Sequence, residues 1–340
     1  MDAEGPAESQ QHLGDDLGVK KQGAASSSNA CASTDAVEDP PSSPRGENPP
    51  WTSTLTFWDR SLEPGYHASR LDALLRPFDR CTACIVLAAS FAIFSRRTVC
   101  DLPHGLEFAL FAIPPACAIS LLAWIEASGR DYGRTRTAAV SIFRVGVATA
   151  MSACKWCMTP PDASSTGALV RLLVHSGALP LLVIQMGSQV DFRTHIWLSF
   201  TAAAAVSLFA PSYCHLWFEQ DDQRATMLSL ASSIDKVMHA TMTLFPEASP
   251  PADALDWASS CWLVMCSLIW GATLLSCALI YFLEARARSM YLLGRCAGWD
   301  RRLLARAMRE AVVVAVWGFS VMSAVGYATL RMVAEGRAAG

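Results

Sequence analysis

The sequence predicts an all-α fold, a polytopic transmembrane bundle of about seven spans behind a disordered N-terminal tail. Three observations predict it. Only 17% of the 340 residues are charged and the mean hydropathy is +0.27, whereas soluble domains run near a quarter charged. Seven apolar runs approach the length of about 20 residues that carries a helix across a bilayer. The first 50 residues contain no Phe, Trp, Tyr or Ile.

That tail cannot bury enough apolar surface to offset its chain entropy, so residues 1–50 are expected to be disordered. Nine acids against three basic residues set it at −6, and with −3 overall the remainder carries +3. The tail has no apolar stretch typical of a secretory signal, and it is too acidic for an organellar transit peptide. Nothing in the charge pattern suggests nucleic acid as a partner.

Residues 51–80 form a juxtamembrane segment. Trp51, Phe57, Trp58 and Tyr66 suit the headgroup zone. Leu71, Leu74, Leu75 and Phe78 recur at helical spacing between Arg70, Arg76 and Arg80, the pattern of a helix lying in the membrane interface. Pro77 should break or kink it before the first span.

The bundle, 81–331, reads as spans at about 81–99, 105–126, 137–158, 167–188, 194–211, 258–283 and 310–331, followed by a short tail, 332–340. Helices are required because no water inside the bilayer satisfies the backbone, and no segment reads as a barrel strand. Pro114-Pro115 should kink the second span, and Gly177 with Pro180 the fourth. Ser199, Ala203 and Ser207, and Ser320, Ala324 and Ala328, stand every four residues, a spacing that lets helices approach closely. Residues 220–245 include a fairly apolar run with Asp235, Lys236 and His239 in its middle. Counting it as a helix on the outer surface places fourteen basic residues on the N-terminal side of the membrane and six on the other. The positive-inside rule then predicts a cytoplasmic N-terminus. A span at 220–245 would move the basic loop, 284–309, outside.

Chemistry-bearing residues are sparse. Ionisable groups within spans are functional candidates. Arg144 lies roughly 10 Å into the third span; Arg171 and His175 share a face of the fourth, and Gln185 lies deeper in it. These four are the candidate ligand or proton site, with snorkelling and interhelical hydrogen bonds as the plain alternative. Cys154 and Cys157 form a C-x-x-C pair near the end of the third span, where the helix dipole opposes thiolate formation. Together with Cys100 and Cys214 they are the redox or disulfide candidates on the outer side. A second pair, Cys81 and Cys84, precedes the first span beside arginines, a setting that also suits palmitoylation. No His stands at ligand spacing from either pair, so no metal is expected. Arg286, Arg288, Arg295, Arg301, Arg302, Arg306 and Arg309 are expected to contact anionic lipid at the cytoplasmic leaflet.

No phosphate-binding Gly-rich motif is encoded, the last span has no lysine for a retinal Schiff base, and no inverted repeat is visible. No cofactor is expected, and the chain is read as more apt to be a non-enzyme. The favoured expectation is a membrane sensor or scaffold module acting through partners, with the N-terminal tail as one contact. A small-solute or ion transporter or channel with a polar site in the bundle is the alternative. A membrane-embedded thiol oxidoreductase is the second.

Overall fold

The computed structural model describes residues 51–52, 54–98, 106–153, 172–173, 176–211, 214, 221–241, 257–295 and 301–338. Among them the chain is all-helical, apart from one isolated bridge between Trp51 and Phe57. The helices are α1 (Leu62–Arg70), α2 (Arg76–Thr98), α3 (Leu106–Ser128), α4 (Tyr132–Ala153), α5 (Ala178–Gly187), α6 (Phe192–Ser207), α7 (Asp221–Thr241), α8 (Trp257–Arg295) and α9 (Arg301–Ala338).

Among the described residues three helices are long and apolar enough to cross a membrane, over Ala109–Ser128, Trp257–Gly294 and Arg301–Gly336. That is fewer than the seven expected, and the shortfall has local causes. The apolar stretch of α2 is short between Arg80 and the Arg96–Arg97 pair. The described part of α4 is interrupted by Arg144 and rich in Thr and Ser. α5 has 10 residues and α6 has 16, or about 15 and 24 Å of helix.

The expected fourth span is not one continuous helix where it is described. Gly177 takes φ 78°, a left-handed conformation that glycine tolerates, and α5 begins at the next residue. Pro180 then falls in the first turn, where a missing N–H costs nothing. The two residues start a new helix instead of kinking an old one.

Pro77 does not break the chain's first long helix either. A π turn, Leu71–Leu75, joins α1 to α2, and the Arg76 N–H reaches back to the Leu71 carbonyl. The wider turn makes room for the proline ring and bypasses the hydrogen bond it cannot donate. The stripe expected to lie on lipid turns partly to protein: Leu75 is buried, as is Tyr66 from the expected headgroup zone, and Leu71 fills the space over Gly133 of α4. Of that stripe, Phe78 stays largely exposed, at 41%.

α8 is the central helix, packing against α5, α6, α7 and α9. α3 packs on α2 and α4, and α4 packs on α6. In α6, Ser199 and Ala203 are buried as the small-residue spacing suggests, whereas Ser320 of α9 is exposed. The stretch expected as a basic loop at 284–309 is mostly helix: α8 runs on to Arg295 and α9 starts at Arg301. Helix α9 likewise continues through the expected C-terminal tail to Ala338. Helix α7 buries Met227 and Ala231 toward α8 and presents Asp235 to α9. There the Tyr327 hydroxyl donates to Asp235 at 2.8 Å, and Arg331 pairs with the same carboxylate.

Candidate functional site

Arg144 sits in the middle of the bundle, on the face of α4 that meets α6, with 2% of its surface exposed. α6 supplies His195 and Ser199, one helical turn apart and both fully buried. The capping Asp191 fixes the start of that helix, accepting from the Thr194 N–H at 3.0 Å. Arg144 Nη2 donates to Ser199 Oγ at 2.9 Å, and Nη1 lies 3.2 Å from His195 Nδ1. A guanidinium only donates. His195 Nδ1 therefore accepts, and the imidazole hydrogen sits on Nε2, which is buried with no partner among the described residues.

The layer extends into α8 and α5. Buried Cys277 of α8 lies near Arg144, Ser199 and Ser276. Ser276 Oγ in turn bonds Gln185 Oε1 of α5, while Gln185 Nε2 is buried without a partner among the described residues. Of the four sequence candidates, Arg144 and Gln185 belong to this one layer. Arg171 and His175 lie outside the described residues, as do Cys100, Cys154 and Cys157. His195, which sequence reasoning passed over, supplies the ring that Arg144 touches. Its signal was an ionisable residue at the head of an apolar run, which an end-of-span position made easy to discount.

Cys214 does not pair with Cys100, Cys154 or Cys157. It is bonded to Cys261, in the second turn of α8, across a sequence separation of 47. Both sulfurs are buried, the setting of a structural bond rather than an exchanging one. Cys81 and Cys84 are free and exposed. Among the described residues no cluster of His, Cys, Asp or Glu could hold a metal ion.

A second polar site closes one end of the bundle. Arg288, expected at the lipid surface, is 2% exposed and lies over the rings of both Phe57 and Tyr66, 4.6 and 4.4 Å from their centroids. Its guanidinium bonds Glu63 at 2.7 Å and Glu284 at 3.1 Å. Arg70 pairs with the other oxygen of Glu284 and reaches Gln189 Oε1 at 3.2 Å. The Tyr66 hydroxyl donates to Glu284 at 3.0 Å. A buried cation with two carboxylates in reach is worth more here than at a lipid surface, which corrects the expectation for this residue. Burial, then the Glu284 carboxylate, push the Tyr66 phenol well above its ordinary range. For Arg70, burial pulls the guanidinium down, but Glu284 and Tyr66 outweigh it and the net direction is up. Next to this cluster, Arg136 grips Asp79 through two bonds of 2.6 and 2.9 Å, and Tyr132 donates to the same carboxylate. Of the other basic residues near this end, Arg286, Arg301, Arg302, Arg306 and Arg309 are exposed, and Arg295 closes α8.

No family model, curated protein or solved structure matches this chain.

Proposed function

We propose that this chain is a multi-pass integral membrane protein of about seven spans, with a cytoplasmic N-terminus, that works as a sensor or scaffold module through partners. The observation that carries the reading is the clamp of residues 57–70 onto the end of α8 by Arg70, Glu284, Arg288 and Glu63. It ties the segment leading out of the acidic tail to the longest helix, the one that touches most of the others. A shift of α8 inside the bundle would thereby carry residues 57–70 with it. The tight burial of the interior polar layer also suits sensing better than an open conduit.

Support for the sides beyond the arginine count comes from the disulfide. The clamp, the Asp79–Arg136 pair and the arginines at the α8–α9 turn all fall on the side proposed as cytoplasmic. The disulfide falls on the other, where an oxidising compartment preserves it. Anionic lipid is proposed as a partner at the cytoplasmic side: exposed Arg286 and Arg301 flank a groove of about 330 Å³ whose apolar lining includes Phe282, Leu293 and Leu304. Guanidinium pairs suit a lipid phosphate and the lining suits an acyl chain. A transporter of a small solute or ion remains the second reading, favoured by the charge of Arg144 at the centre of the bundle.

The first test is topological. In sealed cells an impermeant maleimide should leave Cys81 and Cys84 unlabelled until the membrane is opened. Labelling from outside would reverse every side assigned above. The sensor or scaffold reading itself expects that deleting residues 1–50 leaves thermal unfolding of the bundle unchanged and removes the cytoplasmic neighbours captured by a proximity label. Unchanged neighbours would sink it.

A further inference from the structure

We propose that the layer formed by Arg144, His195, Ser199 and Gln185 binds a small monovalent anion of halide size. The argument is a count of donors against acceptors. Arg144 carries a positive charge that no carboxylate among the described residues balances, since both of its described partners, His195 and Ser199, are neutral groups. The sequence explains why: α4, α5 and α6 contain no Asp or Glu at all. The acid of α8, Glu284, is two turns beyond Cys277 and already holds Arg70 and Arg288. Asp79 is engaged by Arg136. Two further donors, the Nε2 groups of His195 and Gln185, are buried without an acceptor among the described residues, that of His195 on the ring edge turned away from Arg144.

A buried cation with surplus N–H donors around it is costly unless an anion accepts from them. Each named group is at most 2% exposed, so the occupant must be small and desolvated, which fits a halide better than a carboxylic acid or a phosphate ester. Water alone would satisfy the donors and leave the charge. The inference rests on the sensor reading, to which it adds the ligand: anion occupancy would pull α4, α5, α6 and α8 together, and α8 carries the clamp at its far end.

The test uses the full chain, purified in detergent with a bulky organic anion as the only counter-ion and then titrated with radioactive chloride. We expect saturable binding of about one ion per chain and a rise in thermal unfolding temperature with chloride. Arg144→Gln removes the charge and keeps an amide of related size. It should weaken binding roughly tenfold or more, because a charge-assisted contact is lost. Ser199→Ala, which leaves the charge in place, should weaken it less and guards against a misfolded first variant. Absence of saturable binding by the wild type, or equal binding by wild type and Arg144→Gln, overturns the site and leaves the tail-deletion test untouched. Chloride flux in sealed proteoliposomes separates the two readings. Binding without flux supports an anion sensor. Binding with flux that Arg144→Gln abolishes supports the site and replaces the sensor with a carrier.

Discussion

Glu284→Ala is expected to cost about 3–5 kcal/mol of folding stability, because it strips the buried Arg288 and the half-buried Arg70 of a shared counter-charge. Arg288 would keep Glu63, but Arg70 would be left with a phenol and an amide. Desolvated guanidinium groups facing each other without that carboxylate also repel. The cation–π contacts of Arg288 with Phe57 and Tyr66 cannot substitute, since they too depend on the arginine being held in place. A triple replacement of Arg70, Glu284 and Arg288 by apolar residues of similar size should be less harmful than the single change, since only Glu63 then loses a partner and it keeps His67 and the Phe57 N–H. Unfolding of the purified chain in mixed micelles, read by tryptophan fluorescence, measures both. A cost below about 1 kcal/mol for Glu284→Ala would mean that water reaches the cluster and that the clamp is a surface pair.

Cys261→Ser is the second large effect expected. Opening a bond that spans 47 residues restores chain freedom to the unfolded state, worth about 4 kcal/mol in the loop-entropy account. The loop contains all of α7, so loss of the bond should also loosen the contact of Asp235 with Tyr327 and Arg331. Amide hydrogen exchange would report faster opening of α7 than of α3, which touches neither cysteine. Because both sulfurs are buried, a reductant added to the folded wild type should act only slowly, at the rate of local opening. Equal unfolding temperatures for Cys261→Ser and wild type would refute a stabilising role.

Much of the architecture was legible because it depends on local composition. Apolar runs predicted helices at α3, α8 and α9, and the run at 220–245 with polar residues in its middle reads as a helix, where α7 stands. Arg144 and Gln185 could be picked out because a polar residue inside an apolar run is conspicuous in one dimension. Two proline readings failed for a shared reason. At Pro77 and Pro180 the sequence shows that a backbone donor is missing, yet the outcome depends on whether the preceding turn can widen or whether the helix starts there.

The partners were not legible. Arg288 reads as one of seven basic residues near a membrane surface, and only the packing of α1 against α8 brings Phe57, Tyr66 and Glu63 to it. Cys261 gave no signal, because a disulfide is decided by the approach of two chain segments 47 residues apart. The sequence by itself determined that the chain is helical and that α4, α5 and α6 hold no acid to balance Arg144. Tertiary structure alone decided which charges meet, that His195 and Ser199 face Arg144, and that residues 57–70 lock onto α8. The physical reason is range: hydrophobic periodicity and helix length are properties of neighbours along the chain, whereas a buried ion pair exists only where packing has already excluded water around both partners.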